Sequence, residues 1–202
     1  MRKTKIAVLV SGGGTNLQAL IDAQGSTLVS GEIALVVSNN AGAYALERAK
    51  KAGIETAVVL KKELGSQEAF EAKLKEILTE HGIEVIILAG FMTILTESFT
   101  ACYPKRILNI HPSLIPSFCG AGFYGLRVHQ AALDYGVKVT GATVHFVNEI
   151  PDVGEIIAQK AVEVLPGDTP EVLQRRVMEQ AEWILLPQAA ETVCAQLNKQ
   201  TN

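Results

Sequence analysis

This sequence has few cysteines, no long run of basic residues and no long hydrophobic segment, and each scarcity excludes a class of protein. The three cysteines, Cys102, Cys119 and Cys194, form no C-x-x-C pair and do not predict a disulfide framework. The formal net charge is -3, so nonspecific nucleic-acid binding, which needs a basic face, is not expected. The apolar run after the basic N-terminus is too short for a signal peptide or a membrane span. We therefore expect a cytoplasmic protein that binds neither nucleic acid nor membrane.

The sequence does contain enough apolar residues for a packed core. Hydrophobic residues make up 48% and charged residues 19% of the chain, and no repeat or linker interrupts it, so we expect one domain over residues 1–202. Runs rich in Val, Ile and Leu predict buried strands at Lys5–Val10, Ile33–Val37, Thr56–Leu60 and Val85–Leu88. Helical segments alternate with them at Asn16–Gln24, Ala43–Ala52 and Ser66–His81. This order predicts an α/β fold with a doubly wound, Rossmann-like, mostly parallel sheet.

The second half of the chain has a less regular pattern. Strands are predicted at Arg106–His111, Val139–Val147 and Ile156–Val162, with a loop at Pro112–Tyr124 and a helix at Gly125–Tyr135. Asp168 and Glu171 have the spacing of a capping box, so the last helix is expected to begin at Asp168. Pro187 is expected to kink or restart that helix.

A glycine-rich turn, Ser11-Gly12-Gly13-Gly14-Thr15-Asn16, joins the first strand to the first helix. Glycines let the backbone approach an anion, and a helix N-terminus beyond a parallel strand offers free N–H groups. The turn therefore predicts a phosphate site, to which Ser11, Thr15 and Asn16 could add donors. A plain tight turn capped by Thr15 or Asn16 is the alternative. Leu17 stands where a dinucleotide fingerprint needs glycine, so a phosphate monoester fits better than NAD or ATP.

Asn109 and His111 are two positions apart on a predicted strand, so their side chains point to the same face. An amide donor and an imidazole together can stabilise the oxyanion of an acyl transfer and move a proton. A strand-end pair that only satisfies loop backbone groups is the alternative. Asp152 could orient the imidazole, but it lies in a loop where Asp is usually a turn former. The sequence alone does not bring it to His111.

Four motifs resemble, in order and spacing, those of the glycinamide ribonucleotide transformylases: Ser11–Gln18, Ala89–Met92, Asn109–Pro116 and Val144–Val147 followed by Asp152. The similarity runs from about Lys5 to about Pro187. The Asn-x-His pair with a downstream Asp is shared by the wider group of enzymes that use formyltetrahydrofolate. The Ser11–Gln18 motif is narrower and is typical of the ribonucleotide-using branch.

The resemblance implies a sheet of the formyltransferase type, with a phosphate-binding half over about 1–100 and a catalytic and folate-binding half over about 101–202. It implies formyl transfer from 10-formyltetrahydrofolate, a co-substrate, to the amine of glycinamide ribonucleotide in purine biosynthesis. No tightly bound cofactor and no metal are expected. Asn109 and His111 would polarise the formyl group, and Asp152 would hold His111 in its working state.

Two sets of contact residues are also implied by the resemblance. The ribonucleotide would contact Ser11, Gly12, Gly13, Gly14, Thr15, Asn16 and Glu182. The folate would contact Leu88, Phe91, Met92, Thr93, Ile94, Leu95, Asn109 and Val147. Thr93 stands where some members of the group carry Arg, which puts a pterin contact by this side chain in question.

The remaining thiols and imidazoles are expected to have no catalytic part. Cys119 has no base beside it in sequence, so an incidental loop thiol is expected. His81, His129 and His145 show no metal-ligand spacing and are expected to be structural.

Three rival functions remain open. A formyltetrahydrofolate hydrolase usually carries an N-terminal regulatory domain and lacks the glycine-rich turn. A transfer-RNA formyltransferase usually appends a C-terminal RNA-binding domain. A noncatalytic nucleotide-binding regulator would not need Asn109, His111 and Asp152 together. The oligomeric state stays open, and a homo-oligomer is compatible with the sequence.

Overall fold

The structure is a computed structural model that describes residues 2–200; Met1, Thr201 and Asn202, which the expected domain includes, lie outside the described residues. The strands are β1 (Thr4–Val10), β2 (Gly31–Ser38), β3 (Glu55–Val58), β4 (Val85–Leu88), β5 (Ile107–His111), β6 (Val139–Phe146) and β7 (Ile156–Glu163). The helices are α1 (Thr15–Ala23), α2 (Tyr44–Lys51), α3 (Lys61–Leu64), α4 (Gln67–Glu80), α5 (Glu97–Thr100), α6 (Leu126–Tyr135), α7 (Pro170–Val177) and α8 (Trp183–Gln200), with a π-helical turn at Met178–Glu182.

The strands form one sheet in the order β3-β2-β1-β4-β5-β6-β7. Every pair from β3 to β5 is parallel, whereas β6 pairs antiparallel with β5 and β7 pairs antiparallel with β6. The predicted doubly wound, mostly parallel α/β sheet is therefore confirmed. Within residues 2–200, no helix is long and apolar enough to cross a membrane.

The core lies on both faces of the sheet because successive residues of a strand point to opposite faces. In β1, Ile6, Val8 and Val10 pack into one cluster with residues of α1, α7 and α8. Ala7 and Leu9 pack into a second cluster with residues of α4 on the other face. A strand covered by helices on both sides has no polar face, which explains the unbroken apolar run of β1.

The strand order reverses between β1 and β4. From β1 the chain proceeds outward to β2 and β3, and it then returns to β4 on the other side of β1. Open parallel sheets bind ligands in the crevice that such a reversal leaves beyond the strands' carboxyl ends. The segments that enter this crevice begin after Val10, Leu88 and His111.

Several predicted boundaries differ from the structure by one or two residues, and two of these differences have a clear physical reason. Strand β3 covers Glu55–Val58 instead of Thr56–Leu60, because Leu60 is already the N-cap of the unpredicted helix α3. The last helical region is capped by Thr169, whose hydroxyl accepts from Val172 N at 3.3 Å, and not by Asp168. With Pro170 as the first helical residue, the cap falls on the residue before it, and the Asp168 carboxylate pairs with Arg176 instead.

Pro187 does not restart the last helix, which was one of the two effects expected from the sequence. Helix α8 continues through Pro187, and the irregular turn lies earlier, at Met178–Glu182. A proline cannot donate to the carbonyl four residues before it, which is that of Trp183, the residue directly after the π-helical turn. Turns of this kind often lie at functional sites, and this one carries Glu182.

Candidate active site

A cleft of about 520 Å³ lies beyond the carboxyl ends of β4 and β5. Its walls include all three residues predicted to be catalytic and all eight predicted to contact folate. From the ribonucleotide set, only Asn16 and Glu182 line this cleft. Thr15 lines a separate cavity of about 430 Å³ together with Arg48 and Trp183. The remaining residues of the glycine loop, defined as Ser11–Asn16, line neither cavity.

The glycine loop ends in a helix start that no side chain caps. Gly14 is the N-cap of α1, with φ 74, so Thr15 and Asn16 are not caps. A Cβ added at Gly14 would lie 2.6 Å from the Ala45 Cβ, whereas Gly12 and Gly13 have no atom within 4 Å of theirs. Gly14 is therefore required by the close approach of α2, and Gly12 and Gly13 leave backbone open to solvent.

Arg48 gives the glycine loop a positive charge that the sequence reasoning missed. Its Nε donates to the Gly13 carbonyl at 2.8 Å, and its Nη1 donates to Gln18 at 3.1 Å. The guanidinium thus lies beside uncapped helix amides, an arrangement that favours an anion. No local signal marks Arg48, because only the fold brings α2 against the loop.

Asn16 and Glu182 meet at one end of the cleft. The Asn16 Nδ2 donates to the Glu182 Oε2 at 2.7 Å. Glu182 is buried, and burial raises the pKa of its carboxyl to about 7, against the opposing effect of the Asn16 hydrogen bond. An acid with this pKa and one remaining oxygen is suited to accept from hydroxyl groups of a ligand.

The three residues predicted to be catalytic lie together. Asn109 and His111 share one face of β5, and Asp152 comes from the β6–β7 connection. The Asp152 Oδ2 lies 3.4 Å from the His111 Nδ1, and the Asp152 Oδ1 accepts from the Asn109 Nδ2 at 3.4 Å. Asp152 has φ 61, a left-handed conformation that Asp tolerates better than most residues.

Gly154 explains how the β6–β7 connection reaches the cluster. A Cβ at Gly154 would lie 1.7 Å from the Phe146 carbonyl oxygen, so only glycine permits this close approach. The Phe146 amide also donates to the Glu155 carbonyl at 2.9 Å, which closes the connection into a tight loop. Asp152 lies at the turn of that loop and is thereby folded back over His111.

The hydrogen bonds of His111 identify which nitrogen is free to titrate. Its Nε2 lies 2.9 Å from the Phe118 carbonyl, which can only accept, so Nε2 carries a proton. The Nδ1 that faces Asp152 is therefore the nitrogen that gains or loses a proton. Burial lowers the pKa of His111 below 6.5, although Asp152 and the Phe118 carbonyl act to raise it. Asp152 does raise the pKa of His111, but desolvation is the larger effect, so the net shift is downward.

His145 belongs to the same cluster, although it was expected to be structural. Its Nδ1 lies 2.8 Å from the Phe146 carbonyl and so carries a proton, and its Nε2 accepts from the Asn109 Nδ2 at 3.2 Å. The same Nε2 lies 3.5 Å from the Asp152 Oδ1. The β5–β6 register pairs His145 with Asn109, and no local sequence signal reveals this pairing.

The loop after β5 also contacts the cluster through its backbone. The Gly120 amide donates to the Asp152 Oδ2 at 2.8 Å. Burial alone would raise the pKa of Asp152, but contact with His145, the charge of His111 and the Gly120 amide bring it below its ordinary value. Phe118, whose carbonyl binds His111, has φ 50, which is uncommon for a bulky residue.

An irregular segment, Phe91–Thr96, forms the opposite wall of the cleft and is named the wall segment. The Met92 amide donates to the Ser11 Oγ at 2.9 Å, and the Thr93 Oγ1 accepts from Asn39 at 2.8 Å. Within residues 2–200, the amides of Thr93 and Leu95 make no hydrogen bond. These two amides are therefore available to a ligand, whereas the Thr93 hydroxyl is engaged elsewhere.

Metal-ion chemistry has no evident site in the part of the chain that the structure describes. No group of three or more His, Cys, Asp or Glu side chains in residues 2–200 is arranged to hold a metal ion. The cleft concentrates amide donors, two imidazoles and two carboxyl groups, a set that can stabilise negative charge and transfer protons.

Comparison with known proteins identifies relatives that match most of this chain. The formyl transferase family matches residues 4–189. The chain is 44% identical over 176 residues to the phosphoribosylglycinamide formyltransferase of Haemophilus influenzae, covering 87% of this chain and 81% of that protein. A solved structure of glycinamide ribonucleotide transformylase 1 from Symbiobacterium toebii matches with a TM-score of 0.89 and 42% identity, covering 96% of this chain and 89% of the other.

A longer relative matches through one part of its length. The trifunctional purine biosynthetic protein adenosine-3 of Gallus gallus is 48% identical over 193 residues, which cover 96% of this chain and 19% of that protein. The chain thus spans between about an eighth and about a fifth of the length of the trifunctional relatives that it matches.

Proposed function

This chain belongs to the formyl transferase family, and we propose that it transfers a formyl group from 10-formyltetrahydrofolate to the amine of glycinamide ribonucleotide in purine biosynthesis. One observation carries the proposal: a single cleft contains Asn109, His111 and Asp152, the wall segment, and the Asn16–Glu182 pair. Two substrates bound at the two ends would meet at the catalytic cluster. Holding two reactants in line is itself a large contribution to rate.

Asn109 is the proposed donor to the oxyanion. When the neutral amine attacks the formyl carbon, the formyl oxygen gains a negative charge that needs a preorganised donor. The Asn109 Nδ2 has two protons, one directed to His145 at 3.2 Å and one to Asp152 at the longer distance of 3.4 Å. When the formyl oxygen binds, it can replace Asp152 as the partner of one Asn109 proton. The hydrogen bond to His145 then keeps the Asn109 amide oriented.

His111 is the proposed base. Because its pKa is lowered, the imidazole is neutral near pH 7, and its Nδ1 can accept the proton that the attacking amine loses. The adjacent Asp152 carboxylate stabilises the imidazolium that forms. The intermediate then breaks at the bond between the formyl carbon and the folate nitrogen, and that nitrogen receives the proton from the His111 Nδ1. This transfer returns His111 to its neutral form.

The wall segment is the proposed pterin site. The free amides of Thr93 and Leu95 can donate to the amide-like edge of a pterin ring, and Leu88, Phe91 and Val147 supply apolar contact. The Thr93 side chain is bonded to Asn39 and is not needed for this recognition. The departure from Arg at this position is therefore compatible with folate binding.

The glycine loop is the proposed phosphate site, and Glu182 the proposed ribose contact. The open backbone at Gly12 and Gly13, the uncapped start of α1 and the nearby Arg48 support an anion there. Glu182 lines the cleft beside Asn16 and can accept from ribose hydroxyls. We keep the cytoplasm as the proposed location on the basis of the cysteine pattern.

The test is a formyl-transfer assay with a labelled formyl donor. Labelled formylglycinamide ribonucleotide is expected only when glycinamide ribonucleotide is present, and release of free formate is expected to be slow. Formate release that does not need the ribonucleotide would instead identify a hydrolase. Label transferred to methionyl transfer RNA would identify the RNA-modifying rival, and absence of any formyl turnover would favour a binding protein. The Asn109→Ala variant serves as the control for contaminating activity.

A further inference from the structure

We propose that Ser11 is a positioning residue that couples the two substrate sites, so that binding of the ribonucleotide and binding of the folate favour each other. The proposal rests on the proposed function, since it concerns the same cleft. It assigns to the first residue of the glycine loop a contact with the folate site, in place of the direct phosphate contact expected from sequence.

The central contact joins the glycine loop to the wall segment. The Ser11 Oγ accepts from the Met92 amide at 2.9 Å, across 81 residues of sequence. The two residues meet because β1 and β4 are neighbouring parallel strands, and the Ala89 amide still bonds to the Leu9 carbonyl at 2.9 Å just before them. Met92 is the only residue of the wall segment whose amide is held by the glycine loop among residues 2–200.

The two residues that follow β2 hold Ser11 and the neighbour of Met92 in the wall segment. The Asn40 Nδ2 donates to the Ser11 carbonyl at 3.2 Å, and the Asn39 Nδ2 donates to the Thr93 Oγ1 at 2.8 Å. Asn39 and Asn40 are adjacent in sequence, so a movement of the glycine loop and a movement of the wall segment are tied to one short stretch of backbone. Ser11 completes this arrangement by bonding the two segments directly.

The far end of the wall segment is held by a different element. From α4, the Gln67 Nε2 donates to the Ile94 carbonyl at 3.1 Å, and Glu71 accepts from the Thr96 amide at 2.7 Å. Among residues 2–200, neither Gln67 nor Glu71 forms a hydrogen bond with the glycine loop. Loss of the Gln67 contact should therefore loosen the wall segment without changing communication with the phosphate site.

The coupling has a simple thermodynamic origin. A phosphate bound at Gly12 and Gly13 orders the glycine loop, and the ordered Ser11 then fixes Met92 beside the amides that the folate needs. Because the first ligand has already ordered the wall segment, the folate loses less conformational entropy on binding and so binds more tightly. Linkage requires the same factor in the reverse direction. One neutral hydrogen bond corresponds to a coupling factor of about fivefold.

The test is calorimetric titration of the intact protein with glycinamide ribonucleotide, with and without a saturating folate analogue that carries no formyl group. The ratio of the two dissociation constants is the coupling factor. We expect about fivefold in the parent protein, less than about twofold in Ser11→Ala, and recovery in Ser11→Thr, which keeps the hydroxyl. Gln67→Ala should weaken the analogue but keep the parent ratio.

An unchanged ratio in a folded Ser11→Ala variant, or a ratio of one in the parent protein, would overturn the coupling while leaving the proposed function intact. Loss of the ratio in Gln67→Ala as well would also overturn it, since general loosening would then be the cause. If the parent protein binds neither ligand, the proposed function itself fails. Circular dichroism spectra of the variants establish that each is folded.

Discussion

The two ends of the cleft are built on different principles. The ribonucleotide end relies on backbone: open glycines, an uncapped helix start and one arginine beside them. The reaction end relies on buried side chains, where Asn109, His111 and His145 converge on the Asp152 carboxylate. Backbone amides are fixed by the fold and keep their dipoles at every pH, whereas the buried imidazoles and carboxylate are sensitive to every neighbour. Changes at the reaction end should therefore alter turnover, and changes at the ribonucleotide end should alter binding.

The largest expected effect is at the reaction end. Asn109→Ala and His111→Ala should each reduce turnover by ~10²-fold or more, the scale of losing one oxyanion donor or base. Steady-state kinetics with both substrates saturating provide the measurement. The Michaelis constants should change much less than turnover. A folded variant with near-parental turnover would remove that residue from the proposed mechanism.

The pH profile distinguishes how Asp152 acts on His111. Asp152→Asn keeps volume and polarity but removes the charge that offsets part of the burial effect, so turnover should fall by ~10²-fold. The pKa of His111 should fall further below 6.5, because the influence that raises it is gone. Since neutral His111 is the proposed active form, the acid limb of the rate should move to lower pH in the variant.

Two outcomes would contradict this account of Asp152. Turnover within about threefold of the parent, roughly 0.7 kcal/mol in barrier, would make Asp152 a turn residue only. An acid limb that moves to higher pH would mean that it does not report the titration of a His111 whose pKa is raised by Asp152.

The sequence predicts the two ends of the cleft unequally for the same reason that they differ physically. The glycine loop is one continuous stretch between a strand and a helix, so its backbone chemistry can be deduced locally. His145 could not be recognised because its partner Asn109 is set by a strand pairing, and Arg48 because helix packing brings it to the loop. The pKa of His111 could not be predicted, since burial and charge oppose each other and only the structure gives their balance.

Glu182 is the exception at the ribonucleotide end, because it is a buried acid. Its pKa in the folded protein, about 7, exceeds its ordinary 4.5. A raised acid pKa favours folding at low pH, and that stability is lost as pH rises from about 4.5 to about 7. Glu182→Gln should therefore stabilise the protein by ~3 kcal/mol at pH 8 and by less than ~1 kcal/mol at pH 5.

Denaturant unfolding at the two pH values measures this difference in the free energy of unfolding. Glu179→Gln is a matched control on the same turn, since Glu179 is exposed and forms only a surface pair with Arg175. It should change stability by less than ~0.5 kcal/mol at either pH. Equal effects of Glu182→Gln at pH 5 and pH 8 would show that the buried carboxyl is not titrating in this range.

The smallest expected effect tests the backbone character of the glycine loop. Gly13 lacks a positive φ, and a Cβ there would meet no atom within 4 Å, so the Gly13→Val variant should fold normally. Its valine side chain should protrude into the space where the phosphate is proposed to bind. The Michaelis constant for the ribonucleotide should rise by ~10-fold, about 1.4 kcal/mol, and that for the folate by less than ~2-fold. Gly14→Val, which sequence alone suggests as the same test, should instead lower the melting temperature and impair both substrates, because Gly14 has φ 74 and lies against Ala45. If Gly13→Val is as stable as the parent and binds the ribonucleotide equally well, the open face of the loop is not the phosphate site. The turn would then serve only to join β1 to α1.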